Sequence, residues 1–378
     1  MSTPHARIFR RVFGLVILAA CCASLVACTC DGDDDDATDD DDDGGGGPGG
    51  FAGDDDAACD RVLAVGDGIA ERVDGAWIDR TPDLFQSSWR LFDAANPSCD
   101  EILYVGRDDA EARGVILRAV KGAFAKDNVP VISSSFDIAA VDSRSGLTLA
   151  AGGDWASRSG FILRETDGDW EREALPAVST DWWLTDLVVL GTDRGAALGF
   201  DRIADRSFLL RLDGDAWSVE PIALDGIRLH AFDLADADNG LAVGADASGT
   251  SGAIAWLSDG KWYSATPPEV SVDWMLSDVA YTGDATAVFA GRSYDVGVGV
   301  LLDWLDGSIA SSALPTVTSS WDLRTACSLG EAKSEFDADA LVAGSDRESG
   351  GGVVLRRAGG AWSLDGLLPF APNALVAF

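Results

Sequence analysis

Histidine, tyrosine and basic residues are scarce in this chain of 378 residues. It carries two histidines, His5 and His230, together with four tyrosines and two methionines. With one histidine outside the N-terminal leader, zinc sites and Ser–His–Asp relays lack parts, and no P-loop, nucleophile elbow or Gly-rich dinucleotide motif is present. No metal and no cofactor is expected. Lys and Arg number 28 against 63 Asp and Glu. No basic run exists to neutralise phosphates, which argues against nucleic acid as a partner. The one extended apolar run, residues 12–27, is too short to cross a bilayer comfortably.

The N-terminus is abundant in what an export signal needs. Arg7, Arg10 and Arg11 precede the apolar run, which ends in Leu25-Val26-Ala27-Cys28. This segment resembles the lipobox of bacterial lipoproteins, and the resemblance implies a lipidated Cys28 as the mature N-terminus. A second candidate, Cys21 after Leu18-Ala19-Ala20, interrupts the apolar run. Residues 31–57 hold thirteen aspartates and no basic residue. Such a segment cannot bury enough apolar area to fold, and its like charges extend it. The expected organisation is a signal peptide over 1–27, a disordered acidic tether over 28–57, and a folded body over 58–378. Without the leader arginines and the tether aspartates, the body keeps a net charge of −25. Membrane contact is therefore expected through the lipid alone.

Glycine and tryptophan, 43 and 13 residues, carry the architectural signal. Apolar strand-like runs end in Gly66, Gly106, Gly152, Gly199, Gly244, Gly291 and Gly344. Eighteen residues beyond six of these stand Phe124, Trp170, Trp217, Trp262, Ile309 and Trp362; in the first unit Trp77 follows after eleven. A period of roughly 45 residues with four short strands per unit predicts a β-propeller. The first unit lacks an upstream strand, and residues 373–378 form an apolar strand with no repeat after it. An unpaired sheet edge is a liability, so the C-terminal strand is expected to complete blade one. The fold class is all-β: a seven-bladed propeller of four-stranded blades.

Asp236-Ala237-Asp238-Asn239-Gly240-Leu241-Ala242-Val243-Gly244 and the Asp-Gly-x-Trp turn at 259–262 resemble the repeats of photosystem II assembly-factor-like propellers. They also resemble degenerate Asp-box (BNR) repeats of sialidase-like propellers. These resemblances cover residues 58–378 and imply a scaffold rather than a chemistry. The expected function is that of a non-catalytic binding or assembly module anchored in the bacterial cell envelope, at the outer membrane. Its partner would be an unidentified envelope protein or glycan. The alternative is a glycan-active hydrolase on a sialidase-like propeller. That needs paired carboxylates across a pocket, which no sequence feature selects.

A second aromatic series, Trp89, Phe136, Trp182, Trp274 and Trp321, opens the first strands. These residues either pack between blades or ring the channel mouth as a stacking platform. Trp183 points opposite to Trp182 and is expected to meet solvent. With Trp155 and Tyr294 from the loops between second and third strands, Trp89, Trp182, Trp183, Trp274 and Trp321 form the candidate binding face. Those loops also carry Asp108, Asp154, Asp201 and Asp346, which suit a polar rim. Among the cysteines, Cys59, Cys99 and Cys327 are expected on the turns of one rim, with a Cys59–Cys99 disulfide or, alternatively, Cys59–Cys327. Asp236, Asp238 and Asn239 fall one residue short of a calcium loop and are read as a turn.

Overall fold

The second strands of the repeats are apolar on both faces, and that pattern demands cover on both sides. The computed structural model, which describes residues 61–283, 285–305, 307–329 and 339–377, supplies it. Seven four-stranded antiparallel sheets stand around an axis, and inner strands of successive blades touch all the way round. Second strands such as Val62–Gly66 and Leu147–Asp154 are buried at every position. Outer strands such as Ala76–Asp79 and Asp169–Arg172 are mostly exposed. No helix of the described residues is long and apolar enough to cross a membrane.

The ring closes as the strand count requires. Pro372–Ala377 is the inner strand of blade one, antiparallel to Val62–Gly66, with Val62 opposite Ala377. Blade two begins at Trp89, and blades three to seven follow in chain order. At the closing seam Arg72 reaches Asp365 with two hydrogen bonds of 2.9 Å, and Trp77 Nε1 donates to the same carboxylate at 2.9 Å. Asn373 spans three blades: its amide donates to the Leu91 carbonyl, and its oxygen accepts from Arg324.

The anchor glycines have a steric cause. The inner strands of blades two to six carry a β-bulge opposite the anchor, for example between Leu91 and Asp93. The bulge drives a carbonyl onto the second strand. A Cβ on Gly106 would stand 1.9 Å from the Arg90 carbonyl oxygen, and one on Gly244 1.9 Å from that of Arg228.

Beyond the bulge each inner strand turns an aspartate inward. Asp93, Asp142, Asp186, Asp233 and Asp278 accept backbone N–H groups of Val141, Val189, Phe232, Tyr281 and Ala326, each in the next blade. Thr325 takes this role in blade seven, accepting from Leu375 N–H at 3.0 Å. At five seams a carboxylate, and at the sixth a hydroxyl, thus satisfies backbone donors on the open inner edge of the next blade.

Farther out, a second latch repeats. Arg118, Arg164 and Arg211 pair with Asp127, Glu173 and Glu220 of their own blades. The same three carboxylates accept the indole N–H of Trp170, Trp217 and Trp262 from the following blade. The outer-strand tryptophans are therefore seam residues, and their spacing records the blade period.

Two expectations about cysteine are settled differently. Cys327 lies within the inner strand Thr325–Ser328, buried beside Val62 and Leu341, rather than on a turn. Strand alternation turns Cys327 and Leu329 into the seam with blade one and Ala326 into the seam with blade six. Cys99 is disulfide-bonded and sits in the turn after Trp89–Ser98. Cys59, like Cys28 and Cys21, lies outside the described residues.

Candidate functional site

The residues expected to form a binding face divide into two groups. Trp89, Trp182, Trp274 and Trp321 are buried, none above 5% exposed. The rings of Trp182, Trp274 and Trp321 rest on the preceding blade, where glycine makes room. A Cβ on Gly160 would meet the Trp182 ring at 2.3 Å, and Gly252 and Gly299 seat Trp274 and Trp321 likewise. These four tryptophans are therefore inter-blade core and offer no surface to a ligand. The cause is strand alternation: each shares a face with the leucine two residues on, and that face is covered by the neighbouring blade.

The loop aspartates are also structural. Asp108, Asp154, Asp201 and Asp346 are buried. Each accepts a hydroxyl from the segment before its inner strand, from Ser88, Ser133, Ser179 and Thr318 respectively. Each also caps its loop by accepting N–H groups two and, in the first three, also three residues on. Burial opposes the charge on Asp108 and Asp154, but these hydrogen bonds outweigh it; at Asp346 the Ser349 hydroxyl, donating at 2.7 Å, leads the hydrogen bonds, and all three carboxyls are held below the usual range.

Trp155, Trp183 and Tyr294 remain at the surface. Trp155 is 45% exposed, and its ring lies 6.0 Å from that of Trp183, tilted by 43°. Trp183 in turn lies 5.6 Å from the Phe200 ring, and the Arg202 guanidinium sits 5.6 Å over Trp183. Trp155 is oriented by its indole N–H, which donates to Asp137 at 3.0 Å. Burial raises the Asp137 carboxyl, and the hydrogen bonds from Trp155 and Gly153 and the charge of Arg107 oppose that rise.

Arg158 and Arg202 both approach Asp181, at 3.5 and 3.9 Å. With Gly153, Asp154, Trp182, the exposed Trp155 and the partly buried Trp183 they line a cleft of about 160 Å³ between blades three and four. Chemically the cleft offers two indole faces and two guanidinium groups. It can stack a planar or apolar group and hold polar atoms beside it.

Tyr294, 41% exposed, stands apart on the loop between the second and third strands of blade six. Its hydroxyl donates to Met275 Sδ at 3.0 Å, and the Arg292 guanidinium lies 4.5 Å from its ring. Asp137, Asp181, Phe200, Met275 and Arg228 belong to this face without having been singled out. Each occupies an inner-strand start or its paired strand end, and that pairing is invisible until the register is known. Among the described residues no group of histidine, cysteine and carboxylate side chains is arranged to hold a metal.

No protein-family model matches the sequence. No curated protein matches it either. Solved structures share the fold. The chain is similar to YCF48 bound to D1 peptide, with 13% identity, a TM-score of 0.50, and 75% of this chain and 86% of that one covered. A Lactobacillus plantarum protein aligns with 13% identity and a TM-score of 0.57, covering 84% and 98% of the two chains. Hydrazine synthase of Kuenenia stuttgartiensis aligns with 9% identity and a TM-score of 0.54, covering 75% and 88%. At such identities the likeness is one of fold.

Proposed function

We propose that the chain is an exported, lipid-anchored binding module that docks a polypeptide segment of another envelope component on the aromatic–arginine cleft between blades three and four. The carrying observation is the pair Trp155 and Trp183 with Arg202 over the second ring, the exposed aromatic cluster of a face otherwise built from loop caps. Exposed indoles beside arginine are the side chains that dominate protein-recognition sites. The YCF48 structure holds a D1 peptide, and peptide binding is extended here to this chain. A non-catalytic role is supported by the channel aspartates, whose oxygens are committed to backbone N–H groups across the seams. Attachment at the envelope, outer membrane included, rests on Cys28 and the acidic segment after it.

The test compares partners captured from solubilised envelope by the full chain and by Trp183→Ala, with Leu367→Ala on an outer strand as control. Partners lost with Trp183→Ala, kept with Leu367→Ala, and a melting temperature equal for both variants support the reading. Equal recovery by both variants overturns it.

A further inference from the structure

Met275 is the one methionine beyond Met1. The apolar clusters that fill the seams contain no methionine, so this fold does not use the residue to fill gaps. Strand alternation turns Met275 away from the seam that Trp274 and Leu276 enter, and its side chain is partly exposed at the start of the blade-six inner strand.

Two strong donors converge on its sulfur. Arg292, directly opposite Met275 in the second strand, brings Nη2 to 3.6 Å, and the Tyr294 hydroxyl donates at 3.0 Å from the loop that follows. The guanidinium also lies 4.5 Å from the Tyr294 ring, so the three side chains form one cluster within one blade. These donors are mismatched to a thioether, which is a weak acceptor. Among the described residues every other partly or fully buried arginine lies within 4.0 Å of a carboxylate. Arg292 has no such carboxylate among the described residues, although the chain carries acid in excess, and its Nε is buried without a hydrogen-bond partner. A guanidinium and a phenol set around one sulfur are matched to that sulfur once it carries an oxygen.

We propose that Met275 is an oxidation site whose methionine sulfoxide is received by Arg292 and Tyr294. The oxidant is a hydroperoxide, hydrogen peroxide in the simplest case. A sulfur lone pair attacks one peroxide oxygen, and the S–O bond forms as the O–O bond breaks. The departing hydroxide takes the proton of the transferred oxygen and leaves as water. The thioether loses two electrons and the peroxide gains them. Negative charge gathers on the departing oxygen, and the guanidinium beside the sulfur stabilises it. The sulfoxide oxygen then accepts the Tyr294 hydroxyl and an Arg292 N–H in place of the sulfur. Sulfoxide ordinarily disrupts a core. Here it forms on the open side of the strand and meets donors already in place. The cluster lies in blade six, apart from the tryptophan cleft, so it can be probed whether or not that cleft captures a partner.

The test exposes the full chain to hydrogen peroxide at neutral pH, with N-acetylmethionine amide as a reference thioether. Peptide masses locate the added oxygen, and melting temperatures are taken before and after oxidation. The expected result is one oxygen at Met275 with the ring still folded. The oxidation shift in melting temperature should be about 2 °C more positive in the wild type than in Tyr294→Phe or Arg292→Leu, each of which removes a donor. An unmodified Met275 when the reference thioether is fully converted overturns the proposal. A shift no more positive in the wild type than in either variant overturns it equally. Should Arg292→Leu fail to fold, Tyr294→Phe, at an exposed position, carries the comparison alone.

Discussion

Ser207 and Ile227 deviate from the repeat together. Ser207 stands where blades two, three, five and six carry Gly114, Gly160, Gly252 and Gly299, and Ile227 stands where the following blade would place its aromatic ring. With no ring to seat, the hydroxyl has room and accepts the Leu229 N–H at 2.9 Å. Glycine and aromatic are thus the two halves of one contact across a seam, and blade four replaces it with a hydrogen bond.

Replacing Gly160 by alanine should therefore force the Trp182 ring aside and destabilise the ring by about 1–3 kcal/mol. Ser207→Ala should cost a similar amount for a different reason, since it orphans a buried N–H. Urea unfolding monitored by tryptophan fluorescence measures both, and a neutral Gly160→Ala disproves the seating argument.

The indole latch predicts an asymmetry among tryptophans. Trp170 Nε1 donates to Asp127, whereas Trp362 Nε1 has no partner, because blade six carries Ser312 where blades two, three, four and seven carry Asp127, Glu173, Glu220 and Asp365. Trp170→Phe should cost about 1 kcal/mol more than Trp362→Phe. Equal losses in paired denaturation curves would show that the seam hydrogen bond adds nothing to packing.

Stability should fall from pH 5 to pH 8. Burial pushes Asp93 and Asp278 up to about 7 and Asp142 to about 6, and it raises Asp186 and Asp233 too, with neighbouring carboxylates adding to the effect. In the unfolded chain these groups titrate near 4, so the folded ring holds protons that the unfolded chain has released. That contribution is complete below about pH 4 and is lost as pH rises towards about 7. Asp108, Asp154 and Asp346, held below the usual range, act oppositely: their contribution is present above about pH 4 and fades as pH falls further. The denaturation midpoint should peak near pH 4–5, and Asp278→Asn should flatten its decline above the peak. A midpoint that climbs between pH 5 and pH 8 contradicts the assignment.

Cys28→Ala should leave an unprocessed precursor that no longer partitions with the membrane. Mass spectrometry of the mature N-terminus decides this, and an acylated Cys21 would move the anchor while keeping the class.

Blade number, strand order and ring closure were legible because the contacts that impose them recur at a constant spacing. Each anchor glycine faces an inner-strand carbonyl once per blade, and Trp77, Trp170, Trp217 and Trp262 each meet a carboxylate of the preceding blade. The channel aspartates escaped for the converse reason. Asp93, Asp186 and Asp278 face the residue before their anchors, whereas Asp142 and Asp233 face the third residue before theirs. That alternation blurs any single period. Trp182 and Trp183 could be separated by strand alternation alone. The place of His230 could not, since a bulge residue breaks alternation and appears only once pairing is known.

The pairing of Val62 with Ala377 also has a consequence in time. The first strand of the ring to be synthesised finds its inner neighbour only when the last one arrives. Until then Val62–Gly66, apolar at every position but its glycine, presents an open edge. The interval between the two strands spans the synthesis of the other six blades, and during it any passing strand can take the vacant place. Whatever escorts this chain to its destination has that one edge to shield, and its task ends when the C-terminal strand docks.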